Sequence, residues 1–190
     1  MPTNKNDKRY VSTVRGLEGG YLFRAPVGTA LPKDIATALT TDWKCLGYVG
    51  EDGWTESVDM SSETLKDMNA EVVDTYFSEI TETIAVPLMD MAPAAFETEY
   101  GSANVSSADG LIKVNHDWTK LDETFSYVME LVLKNGRRWR KVIPAAKVTE
   151  VGEFQGNAST PSGREVTLTY TDKCYDLYED IDAAAAKGGE

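Results

Sequence analysis

The chain has 190 residues, 42% of them hydrophobic, and carries 31 acidic against 19 basic residues for a formal net charge of -12. That length supports one sizeable core with arms rather than two cores, and the charge repels a polyanion, which disfavours a conventional nucleic-acid binder. Apolar stretches such as Ile84 to Met89 are brief and broken by Pro87, far short of the roughly 20 residues of a membrane span.

Met1 to Tyr10 is polar and charged, with no apolar run behind it, so no secretory signal is expected and folding in a cytoplasm is. The first segment, residues 1–20, ends in Gly19-Gly20 and reads as an arm. Tyr21 to Ala25 is a short strand. Pro26, Gly28 and Pro32 then precede a short helix in which Ile35 and Leu39 share a face. Trp43 to Val49 and Trp54 to Asp59 flank Gly50-Glu51-Asp52-Gly53, a loop of hairpin length. A second, more polar pair, Thr64 to Met68 and Glu71 to Thr75, surrounds Asn69-Ala70 and reads as an edge or protruding element that something must cover.

From Ser78 to Leu88, Ile80, Ile84, Val86 and Leu88 alternate with Glu79, Thr81 and Thr83, which gives a strand with one apolar and one hydroxyl-rich face. Asp90 is placed to cap a helix with Pro93 in its first turn, Phe96 and Tyr100 four apart, and Gly101 at its end. Leu111 to His116 is a strand. Phe125, Tyr127, Met129, Leu131 and Leu133 alternate up to Asn135-Gly136, the strongest hairpin signal present, and the return strand runs from Arg137 to Val148. After a polar loop at Gly156 to Gly163, Val166, Leu168 and Tyr170 alternate with Thr167, Thr169 and Thr171. Residues 176–190 form an acidic extension. Seven or more strands against one or two helices predict a mainly β fold: a β-sandwich or partly rolled barrel with one flanking α-helix and extended arms at both termini.

No nucleophile elbow, phosphate loop, dinucleotide fingerprint, zinc-protease motif or EF-hand loop occurs, so neither an enzyme nor a cofactor or metal is expected. Cys45 and Cys174 stand alone and read as buried thiols. His116 and Asp117 are adjacent, which on a strand sends them to opposite faces and argues for a structural histidine. Carboxylate pairs drawn from Glu97, Glu99, Glu130, Glu150 and Glu153 carry little information in so acidic a chain. Trp43, Trp54, Trp118 and Trp139 could form a sugar-stacking platform, which makes a carbohydrate-binding β-sandwich module the alternative function; core burial is the plainer reading. Asn104 and Asn157 each begin a glycosylation acceptor pattern, which has no consequence without export. The basic run Arg137-Arg138-Trp139-Arg140-Lys141 is either a solvated hairpin or a patch that docks on the acidic surface of an identical neighbour.

The order of landmarks carries a resemblance: Gly28-Thr29-Ala30-Leu31-Pro32, then Trp43, Leu46-Gly47-Tyr48-Val49, Glu51-Asp52-Gly53, and Tyr100-Gly101-Ser102-Ala103-Asn104-Val105 after a helix. From about Gly16 to Asp172 the chain resembles the major tail-tube subunits of long-tailed, non-contractile bacteriophages, especially those of actinobacteria. The resemblance implies a β-sandwich domain over residues 21–175 that forms six-membered rings, stacked into a hollow tube through which viral DNA passes without specific binding. It also implies assembly in the host cytoplasm and partners in a tape-measure protein and terminator and tip proteins. On that reading Glu79, Thr81, Thr83, Thr167, Thr169 and Thr171 are candidates to face the lumen, where carboxylates and hydroxyls let a polyanion slide. Arg137, Arg138, Arg140 and Lys141, together with the hairpins around Asp52, Trp54 and Ser62 and the two arms, are candidates for contacts between subunits.

Overall fold

A computed structural model describes residues 6–154, 156, 158, 159 and 162–180. The outer parts of the two expected arms, residues 1–5 and 181–190, and Asn157 of the second acceptor pattern lie outside the described residues. Eleven strands are described: β1 (Val14–Gly16), β2 (Leu22–Pro26), β3 (Lys44–Cys45), β4 (Thr55–Lys66), β5 (Val72–Pro87), β6 (Val105–Ala108), β7 (Leu111–Val114), β8 (Thr124–Leu133), β9 (Arg138–Val151), β10 (Glu165–Tyr170) and β11 (Tyr175–Tyr178). One α-helix, α1 (Pro93–Tyr100), follows β5. The fold is mainly β and sandwich-like, with sheets that do not close into a barrel.

The chain forms two compact units. Among the described residues, the first comprises 6–48, 124–145 and 172–180, and the second comprises 49–123 and those between 146 and 171, so the long strand β9 serves both. In the first unit β8 is flanked by β2 and β9, with β1 also on β8, β3 on β2 and β11 on β9. The end of the expected N-terminal arm therefore lies in the sheet, since Val14 pairs with Leu133 and Gly16 with Leu131. The start of the expected acidic extension does likewise, since Asp176 pairs with Lys141 and Tyr178 with Trp139.

The core of the first unit is built from Ala25, Trp43, Val128 and Val142, with Phe23, Leu31, Leu39 and Tyr175 packed against it. β8 reads in sequence as a half-buried alternating strand, yet Ser126 to Val132 are buried on both faces. Two devices make this affordable for its polar members. Ser126 donates to the carbonyl of Pro144 at 2.6 Å, and the Glu130 carboxylate is ion-paired with Arg140 at 2.5 Å and with Arg138 at 3.2 Å. The helix expected around Ile35 and Leu39 is absent. Asp34 instead caps a bend, accepting from the backbone N–H groups of Ala36 at 2.8 Å and Thr37 at 2.6 Å, the local competition with helix that aspartate commonly offers.

In the second unit the strand order is β9, β10, β5, β4, with β6 and β7 as a separate pair. The expected hairpin across Gly50-Gly53 does not form: β3 pairs with β2, and β4 pairs with β5. The more polar pair expected around Asn69-Ala70 does form, as the tip of one long hairpin that runs from Thr55 opposite Ala85 to Lys66 opposite Val72. Its turn is held by the Asp67 carboxylate, which accepts from the N–H groups of Asn69 and Glu71 at 2.9 and 2.8 Å, with Ala70 at φ 64°. Helix α1 begins at Pro93 after Ala92, not at an Asp90 cap; no side chain caps it. Gly101 ends it at φ 92°, where a Cβ would stand 2.6 Å from the Lys120 carbonyl oxygen, so only glycine fits.

Candidate assembly surfaces

The basic run at the start of β9 is largely consumed within the first unit. Arg140 is 1% exposed; its guanidinium donates to Glu130 and to the carbonyls of Asp34 and Thr37, the last at 2.9 Å. It thereby clamps the 34–37 bend, which no local sequence pattern reveals. Lys141, 2% exposed, pairs with Asp176 of β11 at 3.3 Å. These two side chains therefore do not form the surface patch expected of them: each folds inward onto a partner in its own chain. Arg137 and Arg138 are half-buried. Arg137 lies over the Tyr178 ring and donates to the Glu179 carbonyl; Arg138 reaches Glu130.

The lumen candidates gather on one face of the second unit. Thr169 of β10 stands opposite Thr83 of β5, and Thr83 stands opposite Ser57 of β4. On the other side Thr169 faces Lys147 of β9, which is ion-paired with Asp122, and its hydroxyl lies 2.8 Å from that of Thr149. The same face of β5 continues through Thr81, opposite Asp59, and Glu79, opposite Ser61. Thr167 shares this face of β10, and Thr171 follows directly on the strand. The reverse face carries Ile84, Val86, Val148, Val166 and Leu168, all buried. Alternation in sequence thus identified two half-buried strands, and register makes them neighbours.

Beyond Thr83, β5 pairs only with β4 among the described residues, so residues 58–82 form a two-stranded ribbon whose strand residues up to Ile80 are exposed. Ser62 sits within β4, beside an irregularity in register, and not at a turn. The ribbon has two unlike faces. One continues the hydroxyl face with Asp59, Ser61, Glu63, Glu79 and Tyr76, whose hydroxyl donates to Glu63 at 3.0 Å. The other continues the buried side of β5 but lies open: Val58, Met60, Phe77 and Ile80 are 50 to 63% exposed, with Glu82 opposite Val58 and Ser62 opposite Phe77. An isolated two-stranded ribbon is marginal in water, and its open apolar side and free β4 edge call for a covering partner. Asp52 is exposed in a turn closed by the Gly53 N–H on the Gly50 carbonyl at 2.9 Å, and Trp54 is half-buried just before β4.

The polar and aromatic groups that resemble chemical sites are occupied structurally. Asp117 accepts from the Thr119 hydroxyl at 2.6 Å and pairs with Lys120, while the His116 ring lies 5.0 Å from that of Tyr100. Trp43 is buried in the first core, Trp139 stacks on Tyr178 and donates to Asp176 at 2.7 Å, and Trp118 stacks on Tyr100. These three tryptophans are each engaged in a local cluster of their own, which weakens the case for a shared sugar platform. Cys45 is exposed and Cys174 half-buried, against their expected burial. Among the described residues no cluster of three or more His, Cys, Asp or Glu is placed to hold a metal, and no helix is long and apolar enough to cross a membrane.

Sequence reading missed Glu99. This helix residue is 2% exposed, and burial pushes its carboxyl up to about 7 against the opposing pull of Arg164. Arg164 is in turn held by the Gly152 carbonyl at 2.7 Å and the Tyr100 hydroxyl at 3.3 Å. No periodicity marks such a carboxylate, because Glu97 and Glu99 look alike until the helix is docked.

A model of the family described as phage tail tube protein matches residues 4–182. No curated protein matches the chain. The match spans nearly the whole sequence and agrees with a β-rich, sandwich-like chain that presents an uncovered ribbon and a polar sheet face: the chain belongs to the phage tail tube protein family.

Proposed function

We propose that this chain is the subunit of stacked hexameric rings that form the tube of a phage tail, with the hydroxyl and carboxylate face of β10, β5 and β4 turned to the lumen as a conduit for viral DNA. Family membership gives the chain a structural role in the virion tail and self-assembly with other tail proteins. A structural role of this kind needs no catalysis. The finer reading rests on one observation, the four-strand face through Thr169, Thr83 and Ser57. Its one lysine is neutralised by Asp122. Such a surface offers a phosphate backbone repulsion and replaceable hydrogen bonds in place of cationic anchors, so DNA is confined without being held.

The apolar side of the ribbon, with Ser62 beside it, supplies a contact to a neighbouring subunit. Arg137, Arg138, Asp52 and Trp54 remain candidates for further contacts. Assembly takes place in the host cytoplasm on a tape-measure protein, and terminator and tip proteins cap the ends. The test is negative-stain electron microscopy of the purified chain over a concentration series, with and without a fragment of phage tail as seed. Hollow tubes of uniform width with sixfold end views are expected; monomers in every condition, seeded ones included, would sink the reading.

A further inference from the structure

The open side of the ribbon holds one side chain whose polarity can be changed by chemistry alone. Met60 stands opposite Ile80 in the strand pair, and register puts Val58 and Phe77 on the same side. It is 59% exposed. The other methionines among the described residues are placed differently. Met129 is fully buried in β8, Met89 is half-buried after β5, Met68 lies at the ribbon's turn outside the paired residues, and Met91 precedes α1.

We propose that Met60 is an oxidation-sensitive site that controls docking of the ribbon onto a second copy of the chain. This rests on the tube reading above. The occupant follows from two facts: the family self-assembles, and the open side is the same side of β5 that buries Ile84 and Val86, a core face that runs on into the exposed Ile80 and Phe77. A hydroperoxide transfers its terminal oxygen to the thioether sulfur. The S–O bond forms as the O–O bond breaks, the sulfur loses two electrons, and the peroxide is reduced to water or an alcohol. The sulfoxide is a polar acceptor, and covering it with an apolar partner leaves that acceptor without a donor. The reaction thus acts on the free subunit, while docking shields the sulfur.

The full-length chain is treated with hydrogen peroxide, quenched, mapped for sulfoxide by peptide mass spectrometry and assayed for tubes by sedimentation and microscopy, with circular dichroism to verify the fold. Oxidised protein is expected to need about tenfold more subunit or greater to assemble, the equivalent of one lost polar partner per contact. Met60→Leu, which conserves volume, is expected to assemble normally after the same dose, whereas Met68→Leu gives no protection, and preformed tubes keep Met60 reduced. Full sulfoxide at Met60 with unchanged assembly would overturn the proposal, as would equal loss in Met60→Leu or equal oxidation of Met60 inside tubes. Failure of the untreated, seeded wild type to form tubes is a different result: it removes the tube reading and this inference with it.

Discussion

The start of β9 and the β4–β5 ribbon are opposites. One is a run of cations that folds inward, with Arg140 and Lys141 about as buried as core leucines and each matched to carboxylates of its own chain. The other is a run of Val, Met, Phe and Ile that stays outside. Charge inside and hydrophobes outside reverse the usual partition, and the two reversals have different causes. The cations serve the fold of a single chain, because their partners are present in it; the hydrophobes have no covering layer among the described residues.

Arg140→Ala breaks the first half of the comparison most severely. It leaves Glu130 without its closest partner and frees the Asp34 and Thr37 carbonyls, a loss of about 3–5 kcal/mol, read as a lower midpoint in urea unfolding. A midpoint within error of wild type would mean the clamp is dispensable. Met60→Asp with Phe77→Asp tests the other half: thermal stability of the free chain should change by less than about 1 kcal/mol, since both sites are exposed, while tube formation is lost at concentrations where wild type assembles. Unfolding of the free variant would show that the ribbon is part of the core after all.

Glu99→Gln is smaller and depends on pH. A carboxyl raised from 4.5 to about 7 on folding favours the native state in its neutral form. That stability is complete below about pH 4.5 and is lost as pH rises to about 7, where it levels off. The variant should therefore melt like wild type at pH 4.5 and higher than wild type at pH 8; equal melting at both would mean the carboxylate is solvated. Arg138→Ala is the smallest in stability, about 1 kcal/mol or less for a partly exposed pair. If it also left tubes intact, the basic turn would have no role between subunits.

The elements legible in sequence are those set by neighbours along the chain. Asn135-Gly136 marks the β8–β9 turn, with Gly136 at φ 78°; Gly101 ends α1, and the threonine strands alternate as they should. What misled was local chemistry serving a distant purpose. Ile35 and Leu39 have helical spacing, yet Ile35 lies in a bend at 34–37 that is held by Arg140, over 100 residues away. Gly50-Glu51-Asp52-Gly53 has the glycines of a hairpin turn and closes none, whereas the turn expected at Asn69-Ala70 does close the ribbon, with a left-handed alanine and the Asp67 side chain. The lumen candidates could be recognised as faces, whereas their assembly into one face depends on strand order, which alternation does not encode.

The ribbon also has a history in time. Its strands are contiguous in sequence, and pairing of such hairpins takes on the order of 1–10 μs once the residues are available. The first unit, by contrast, joins β1 to β8 and closes with β11 only after residue 175, so these pairings need slow, long-range chain closure. Both strands of the ribbon are therefore made before the last strand of the first unit.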